Sequence, residues 1–199
     1  MKVVIIKYNA GNIRSVQIAL ARQNIEALVS EDAAEIESAD RVIFPGVGEA
    51  SSAMRYLRER GLDTCIAGLR QPLLGICLGL QLMCGYTEEG ETPCLGIFDT
   101  EVRRFPPMDK VPHMGWNSIG ELRGPLFRGV APGSYVYFVH SYAALPCREQ
   151  TAVTDYIVPF AAALRKDNFH ALQFHPEKSG DTGARILRNF LTMPEETAP

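Results

Sequence analysis

Four short apolar runs alternate with helix-forming stretches in the first part of the chain, and this alternation limits the folds that the sequence can adopt. The runs are Lys2–Lys7, Ile25–Val29, Arg41–Phe44 and Pro72–Ile76. Continuous apolar strands are typical of parallel sheets, in which helices cover both faces. The first half therefore predicts a doubly wound, mostly parallel sheet in a three-layer α/β/α arrangement.

Helix signals lie between and after these runs. Asn12 stands before Ile13, Val16 and Leu20, which share one helical face, and we expect Asn12 to cap that helix. Further helices are expected over Glu49–Arg60, which Gly61 would end, over Leu80–Cys84 and over Thr182–Leu191.

The second half has a different pattern. Glycine and proline are frequent between Gly90 and Gly133, and four short alternating stretches follow. These stretches are Tyr135–His140, Thr151–Thr154, Ala161–Leu164 and His170–Phe174. Such stretches are typical of antiparallel or mixed strands. We expect them to add antiparallel strands that pack on the first sheet.

Length, charge and hydropathy exclude several classes of protein. The 199 residues predict a single domain, 1–199, with a frayed tail after Met193. The chain has 20 Lys plus Arg against 23 Asp plus Glu, and a net charge of −3 argues against a dedicated nucleic-acid binder. No apolar run approaches the roughly 18 residues of a membrane span. Val3–Ile6 is too short for the core of a secretion signal.

Five cysteines are present, at positions 65, 77, 84, 94 and 147. Their number is odd and no C-x-x-C pair occurs, so the sequence predicts reduced thiols and a cytoplasmic location rather than a disulfide framework. No zinc or calcium ligand spacing is present, and we expect neither a metal nor a cofactor. Reduced thiols leave one of the cysteines free to act as a nucleophile.

Cys77 has the sequence context of such a nucleophile. The segment Gly75-Ile-Cys-Leu-Gly79 lies between an expected strand and an expected helix, and flanking glycines let the backbone turn tightly there. The helix N-terminus would favour the thiolate, and the N–H of Leu78 would face a developing oxyanion. The alternative is a buried structural cysteine, which is how we interpret the other four.

A histidine and a carboxylate follow a later strand, in Phe174-His-Pro-Glu177. Pro176 keeps His175 extended, so the side chains of His175 and Glu177 can share one face. The histidine could then act as a general base that the glutamate orients. The alternative is a hydrogen-bonded surface histidine.

Pro45-Gly-Val-Gly48 ends the third strand at the same edge of the sheet. Its backbone N–H groups could bind a phosphate or an oxyanion, and only the oxyanion fits a thiolate nearby. A plain strand-to-helix turn is an equally good interpretation of these four residues.

Together these segments resemble the class I, triad-type glutamine amidotransferases. Gly11–Val16, Pro112–Asn117, Phe138–Tyr142 and Phe174–Ser179 are most similar to those members that pass ammonia to a (β/α)8-barrel cyclase in histidine biosynthesis. The similarity extends to about Leu191. It is incomplete at Lys7-Tyr-Asn9, where the family more often has Asp-Tyr-Gly.

The resemblance implies a role for each matching residue. Cys77 would attack the side-chain amide of L-glutamine, His175 would transfer the proton, and Glu177 would orient His175. Two further groups follow from the resemblance. The backbones of Val47, after rotation of its peptide, and Leu78 would bind the oxyanion, while Gly46, Gln81, Ser141 and Tyr142 would recognise glutamine. Asn12, Trp116, Tyr137 and Lys178 would face the barrel cyclase, with which the chain would form a heterodimer.

Two other functions remain open from the sequence. A paralogous glutaminase could serve another acceptor, such as a surface-sugar or pyridoxal-phosphate pathway. A fold with this triad could also act only as a binding or regulatory module. Glutaminase activity with and without the cyclase partner distinguishes the three hypotheses.

Overall fold

A seven-stranded sheet forms the centre of the protein in a computed structural model that describes residues 1–194. Within that range the strands, in chain order, are β1 (Val3–Ile6), β2 (Ala27–Ser30), β3 (Arg41–Phe44), β4 (Leu73–Ile76), β5 (Tyr86–Thr87), β6 (Thr92–Pro93), β7 (Glu101–Arg104), β8 (His113–Ser118), β9 (Tyr135–His140), β10 (Tyr142–Ala144), β11 (Gln150–Tyr156), β12 (Val158–Lys166) and β13 (Phe169–Leu172). The α-helices are α1 (Ile13–Ala21), α2 (Ala33–Glu37), α3 (Ala50–Glu59), α4 (Leu62–Gly68), α5 (Leu78–Met83) and α6 (Gly180–Thr192).

The central sheet has the order β11-β12-β13-β4-β3-β1-β2. Strands β2, β1, β3, β4 and β13 pair with one another in parallel, whereas β12 pairs antiparallel with β13 and β11 pairs antiparallel with β12. Two smaller sheets accompany it, one with the order β10-β7-β5-β6 and one made of the β8–β9 hairpin. The expected fold class, a mostly parallel α/β/α sheet with additional antiparallel strands, is confirmed.

The apolar strands are buried on both faces, which explains why they carry almost no polar residues. In β1, Val4 and Ile6 pack into one hydrophobic core while Val3 and Ile5 pack into the other. Successive side chains of a strand point to opposite faces, so a strand covered by helices on both sides needs an unbroken apolar run. Helix α6 closes one side with its expected apolar stripe buried.

Several sequence-based details need correction. Strands β11, β12 and β13 do not pack on the first sheet but extend it edge to edge, because β13 pairs in parallel with β4. The second strand begins at Ala27 rather than Ile25, and α5 begins at Leu78, directly after Cys77, rather than at Leu80. The strands β5, β6, β7 and β8 were not expected. The last three lie in the glycine- and proline-rich region and β5 lies just before it, where tertiary pairing outweighs local propensity.

The expected cap of α1 by Asn12 is also wrong. Asn12 stands at the N-cap position, but its side chain makes no capping hydrogen bond. Its Nδ2 instead donates to Oε1 of Glu177 at 3.3 Å. The Asn12 side chain therefore binds an acceptor that is distant in sequence instead of capping the local backbone.

Across residues 1–194, every helix is too short or too polar to cross a membrane. The expected frayed tail lies mainly outside this range, since residues 195–199 are not described.

Replacing Gly79 by alanine should destabilise the protein by about 3 kcal/mol, as expected for overpacking at a rigid site. A Cβ at this position would lie 2.1 Å from the carbonyl oxygen of Phe44, so α5 or β3 would have to shift. Gly68→Ala is the matched control, because a Cβ there meets no atom within 4 Å and alanine favours helix. Urea unfolding should show the control unchanged or slightly more stable; equal stability of both variants would contradict the close approach.

Candidate active site

The carboxyl ends of three neighbouring strands meet at one edge of the central sheet. Cys77 follows β4, the segment Pro45–Gly48 follows β3, and His175 comes three residues after β13. In the pairing register, Ile76 lies beside Leu172 and Gly75 lies beside Phe44. Ligands of open α/β sheets bind at such carboxyl ends. Parallel pairing thus brings together residues that are about 100 positions apart in sequence.

Cys77 occupies a tight turn between β4 and α5. Its φ of 53° and ψ of −105° lie in a region that residues other than glycine rarely adopt, at a cost of about 1–3 kcal/mol. Two backbone hydrogen bonds hold the turn. The N–H of Cys77 donates to Leu172 O at 2.7 Å, and Cys77 O accepts from the N–H of Gln81. The neighbouring strand and the first turn of α5 therefore fix the direction of the thiol.

His175 and Glu177 form a buried pair. The Nδ1 of His175 lies 2.7 Å from Oε1 of Glu177, and both side chains are 1% exposed. Since a carboxylate oxygen can only accept here, Nδ1 carries the proton and Nε2 is left with the lone pair. This Nε2 has no hydrogen-bond partner among the described residues. The site thus holds an oriented imidazole with a basic nitrogen.

Cys77 and His175 interact electrostatically. Burial opposes a charge on His175, but hydrogen bonding and attraction from Cys77 and Glu177 outweigh burial and raise the pKa of His175 to about 10. Both neighbouring groups thus favour the imidazolium form of His175. The arrangement suits proton transfer from sulfur to nitrogen.

The loop after β3 covers the start of α5. The N–H of Leu78 donates to Gly46 O at 3.4 Å, and Val47 O accepts from the N–H of Gly11 at 3.0 Å. The N–H of Leu78 is thus engaged by the backbone, and the N–H of Val47, which shares a trans peptide with Gly46 O, points away from it. A Cβ at Gly46 would lie 2.5 Å from Cβ of Leu78, so only glycine allows this approach.

Tyr8 forms a hydrogen bond with the same loop from the protein interior. Its buried hydroxyl donates to Pro45 O at 2.5 Å. Burial, followed by the nearby Cys77, raises the pKa of Tyr8, so the phenol stays protonated and keeps donating.

A cleft of about 300 Å³ opens beside Cys77. It is lined by most of the expected glutamine and oxyanion residues, namely Val47, Leu78, Gln81, Ser141 and Tyr142. Gln81 uses its Nε2 within the protein, donating to Tyr142 O at 2.9 Å and to Gln173 Oε1 at 3.2 Å. Its Oε1 is therefore the atom of this amide that can accept from a ligand.

Glu89 is a carboxylate of the cleft that sequence reasoning missed. It is half-buried, and its Oε2 accepts from the N–H of Ala50 at 2.9 Å. Burial first, and then the neighbouring Glu49, raise the pKa of Glu89, although the Ala50 bond partly offsets them. A buried carboxylate next to another carboxylate favours the approach of a cation. Its segment holds Glu88, Glu89 and Glu91, and nothing in their order marked one of them.

Three of the four residues expected to face a partner lie together. Trp116 and Tyr137 pack edge to face with ring centroids 6.1 Å apart, and Lys178 Nζ lies 5.9 Å from the Tyr137 centroid. Trp116 is 54% exposed, and Met114 and Tyr135, on the same hairpin, are each 60% exposed. We call this group, Met114, Trp116, Tyr135, Tyr137 and Lys178, the aromatic patch. Asn12 contacts the site directly through Glu177.

The two departures from the family pattern are accommodated locally. Lys7 Nζ lies 3.8 Å from Oε1 of Glu31, and Asn9 Nδ2 donates to Ser52 O. Asn9 is absent from the positive-φ residues, so the glycine common at this position is not required for backbone conformation here.

Two further histidines lie buried beside the cleft. His113 Nδ1 is 3.1 Å from His140 Nε2, and His140 Nδ1 is 2.8 Å from Tyr142 O. Burial lowers the pKa of His113 to about 4, and burial lowers that of His140 to about 3, with His113 and His175 adding repulsion. Both imidazoles are therefore neutral near pH 7. Among residues 1–194, no group of three or more His, Cys, Asp or Glu side chains could hold a metal ion.

Comparison with known proteins agrees with this geometry. The sequence profile of the class I glutamine amidotransferases matches residues 5–193. The match spans nearly the whole chain, and the protein belongs to this family.

Similar sequences narrow the comparison. The chain is 59% identical over 196 residues to the imidazole glycerol phosphate synthase subunit HisH of Bacteroides thetaiotaomicron, covering 97% of this chain and 100% of the relative. It is 60% identical over 197 residues to the protein of the same name from Bacteroides fragilis, again covering 97% and 100%. Among solved structures, PurLQS from Thermotoga maritima superposes with a TM-score of 0.72 at 15% identity, covering 96% of this chain and 97% of that chain, and so shares the fold.

The neutral histidines predict a loss of stability in acid. His113 and His140 bind protons more weakly in the folded than in the unfolded chain, where a histidine pKa is near 6.5. Their contribution to the free energy of unfolding is complete above about pH 6.5 and is lost as the pH falls towards about 4. The free energy of unfolding should decrease by up to about 1.4 kcal/mol per pH unit for each proton that unfolding takes up. Urea unfolding between about pH 7 and pH 5 should show this slope.

His140→Asn is the informative variant, because the asparagine Nδ2 can replace Nδ1 as the donor to Tyr142 O. The variant should lose part of the acid slope. An identical slope in both proteins would show that His140 is not held neutral by the fold.

Proposed function

We infer that this chain is the glutaminase subunit of an imidazole glycerol phosphate synthase. It hydrolyses glutamine to glutamate and ammonia for a cyclase partner, which makes imidazole glycerol phosphate and aminoimidazole carboxamide ribonucleotide in histidine biosynthesis. Relatives with this name at 59% and 60% identity over their full length support this function. The observation that carries the chemistry is the strained Cys77 beside a Glu177-oriented imidazole.

Cys77 acts as the nucleophile. Its thiol proton moves to Nε2 of His175, which has a lone pair and no other partner among the described residues. Glu177 accepts from Nδ1 and stabilises the imidazolium that forms. The sulfur attacks the side-chain amide carbon of glutamine, and His175 gives its proton to the leaving ammonia. Water then cleaves the γ-glutamyl thioester to glutamate.

The oxyanion is bound by the backbones of Val47 and Leu78 after a local rearrangement. In the present arrangement the N–H of Leu78 donates to Gly46 O, so the N–H of Val47, which belongs to the same trans peptide as Gly46 O, points away from Leu78. Rotation of the Gly46–Val47 peptide would free the N–H of Leu78 and turn the N–H of Val47 towards the developing charge. Val47 and Cys77 line the same cleft, so the rotated peptide would lie beside the nucleophile.

Glutamine recognition uses Gly46, Gln81, Ser141 and Tyr142, with Glu89 as an addition. Gln81 and Glu89 both offer oxygen acceptors to the cleft, and the α-ammonium of glutamine is a donor and a cation. We place the ammonium between these two side chains. The amide would then extend towards Cys77, which lines the same cleft.

The partner is a (β/α)8-barrel cyclase that docks on the aromatic patch and Asn12. An exposed cluster of Trp, Tyr and Met side chains is typical of a protein interface. Ammonia would be protonated in water near pH 7, because amines of this kind have a pKa well above neutral. A shielded path through the docked partner keeps it reactive. The five free cysteines support a cytoplasmic location.

Cys77→Ala should abolish glutamine-dependent synthesis by the complex, by about 10⁴-fold or more, as expected for loss of a triad nucleophile. Ammonium salt should restore synthesis, since only the nitrogen source is lost. The measurement is a coupled assay of glutamate release and cyclase product, with the chain alone and with its barrel partner and nucleotide substrate.

The same assay tests the alternative glutaminase function. Strong stimulation of wild-type glutamate release by the loaded partner supports the synthase, whereas equal activity without the partner favours another acceptor. Absence of glutamate release under all conditions would favour a binding or regulatory module. Failure of ammonium to rescue Cys77→Ala would indicate a structural role for Cys77.

Glu89→Gln should raise the KM for glutamine by about tenfold or more with a smaller effect on kcat, because it removes a charge that binds the ground state and the transition state alike. Glu91→Gln is the matched control, since this neighbouring carboxylate is exposed and does not line the cleft. Steady-state kinetics of the complex provide the measurement. An unchanged KM in Glu89→Gln would place the ammonium elsewhere.

A further inference from the structure

Gln173 is a buried residue whose side chain contacts the sulfur of Cys77. It follows β13, is 0% exposed, and has polar side-chain contacts at both ends of its amide. Nε2 donates to Cys77 Sγ at 3.7 Å, and Oε1 accepts from Gln81 Nε2 at 3.2 Å. The side chain therefore joins the sulfur to a residue of the glutamine cleft.

The orientation of this amide follows from the groups around it. Tyr142 O can only accept, so the end of Gln81 that contacts it is the NH₂ group. The same NH₂ group contacts Gln173, which must therefore present its oxygen to Gln81. The remaining end of Gln173 is then its NH₂ group, and it faces the sulfur. One backbone carbonyl thus determines that a donor points at Cys77.

A second branch holds that carbonyl in place. His140 Nδ1 donates to Tyr142 O, so His140 Nε2 accepts from His113 Nδ1. Nε2 of His113 in turn faces Asn117 Nδ2 at 3.4 Å, which also donates to Asp155 O. Every donor in this series has an acceptor, and the histidines remain neutral within an aromatic cage of Phe105, Phe138 and Phe160. The carbonyl of Tyr142 is therefore a rigid anchor.

We propose that Gln173 is a further catalytic residue, whose oriented amide N–H donates to the sulfur of Cys77 and stabilises it as a thiolate. The proposal rests on the nucleophilic role of Cys77 in the proposed function. When the proton moves from Sγ to Nε2 of His175, the electron pair stays on sulfur. The amide N–H of Gln173 then faces an anion, and hydrogen bonds to charged groups are stronger than neutral ones.

A second contact of the sulfur strengthens the argument. Val139 O lies 3.9 Å from Sγ and can only accept, so it favours the protonated thiol. The N–H of Gln173 has the opposite preference, since it satisfies an acceptor. The two contacts thus favour opposite protonation states of the sulfur. Removal of the Gln173 side chain leaves only the contact with Val139 O, which favours the thiol.

A purely structural role would give a different pattern. If Gln173 acts only by holding Gln81, its loss should resemble the loss of Gln81, with a raised KM for glutamine and no change in the reactivity of the sulfur. A catalytic role predicts a lower kcat and a thiol that needs a higher pH to react. The pH profile of Cys77 alkylation distinguishes the two.

The experiment compares Gln173→Met, Gln173→Leu and Gln81→Met with wild type, each as the full chain bound to its cyclase partner. Gln71→Met is the matched control, because it removes an amide that donates to Ile36 O and Glu37 O far from the cleft. Iodoacetamide labels the thiolate, and tandem mass spectrometry resolves Cys77 from the other cysteines. Urea midpoints identify the variants that fold, and the two Gln173 variants provide independent replacements.

We expect kcat to fall about tenfold or more in the Gln173 variants, and the pH at half-maximal Cys77 alkylation to rise by about one unit or more. Gln71→Met should match wild type, whereas Gln81→Met should raise KM and shift the alkylation profile less than the Gln173 variants do, because it removes the donor that orients the Gln173 amide. A folded Gln173 variant with an unchanged alkylation profile would overturn the proposal. Wild type that releases no glutamate with its loaded partner would instead contradict the proposed function itself.

Discussion

The parallel pairing of β4 with β3 on one side and β13 on the other determines where everything else in the site lies. These three strands end at one edge, and each delivers a different chemical group there: backbone N–H groups after β3, a thiol after β4, and an imidazole with its carboxylate after β13. The hydrogen bond from Cys77 N to Leu172 O ties the thiol turn to the strand that leads to His175. A slip in this register would separate the reacting groups. The strain at Cys77 is sustained because strands on both sides hold the turn.

Different electrostatic surroundings give neighbouring histidines different pKa values. His175 has a carboxylate at Nδ1 and a thiol nearby, so its pKa is raised, whereas burial without a charged partner lowers the pKa of His113 and His140. The neutral pair can therefore keep defined donor and acceptor roles while His175 changes charge. Gln81 and Gln173 extend this series of hydrogen bonds from Tyr142 O to the sulfur of Cys77. Among these three histidines, only His175 is thus placed to carry a positive charge near pH 7.

Much of this architecture was predictable because its signals are local. Continuous apolar runs such as Val3–Ile6 indicated buried parallel strands, and the glycines around Cys77 indicated a tight turn. The nucleophile and the base–carboxylate pair were inferred from local motifs, whereas their action on glutamine and the partner-facing residues were inferred from the resemblance. The sequence did not predict segments that lack local signals, such as β7. It also did not predict the partners of side chains that bind residues distant in sequence, such as Asn12. For Gln173 a signal existed, since it lies two positions before His175 in extended chain and can share its face.

By itself, the sequence determined the burial of the strands, the turn at Cys77 and the adjacency of His175 to Glu177, because hydrophobic periodicity, glycine and proline act over a few residues. Only the tertiary structure decided that β13 lies next to β4, that Glu89 enters the cleft, and that Tyr142 O orients the amide of Gln173 towards the sulfur. These outcomes depend on contacts between distant segments, where a side chain takes the partner that the folded neighbourhood offers. No local pattern encodes that choice, because its energy arises only when the sheet has formed.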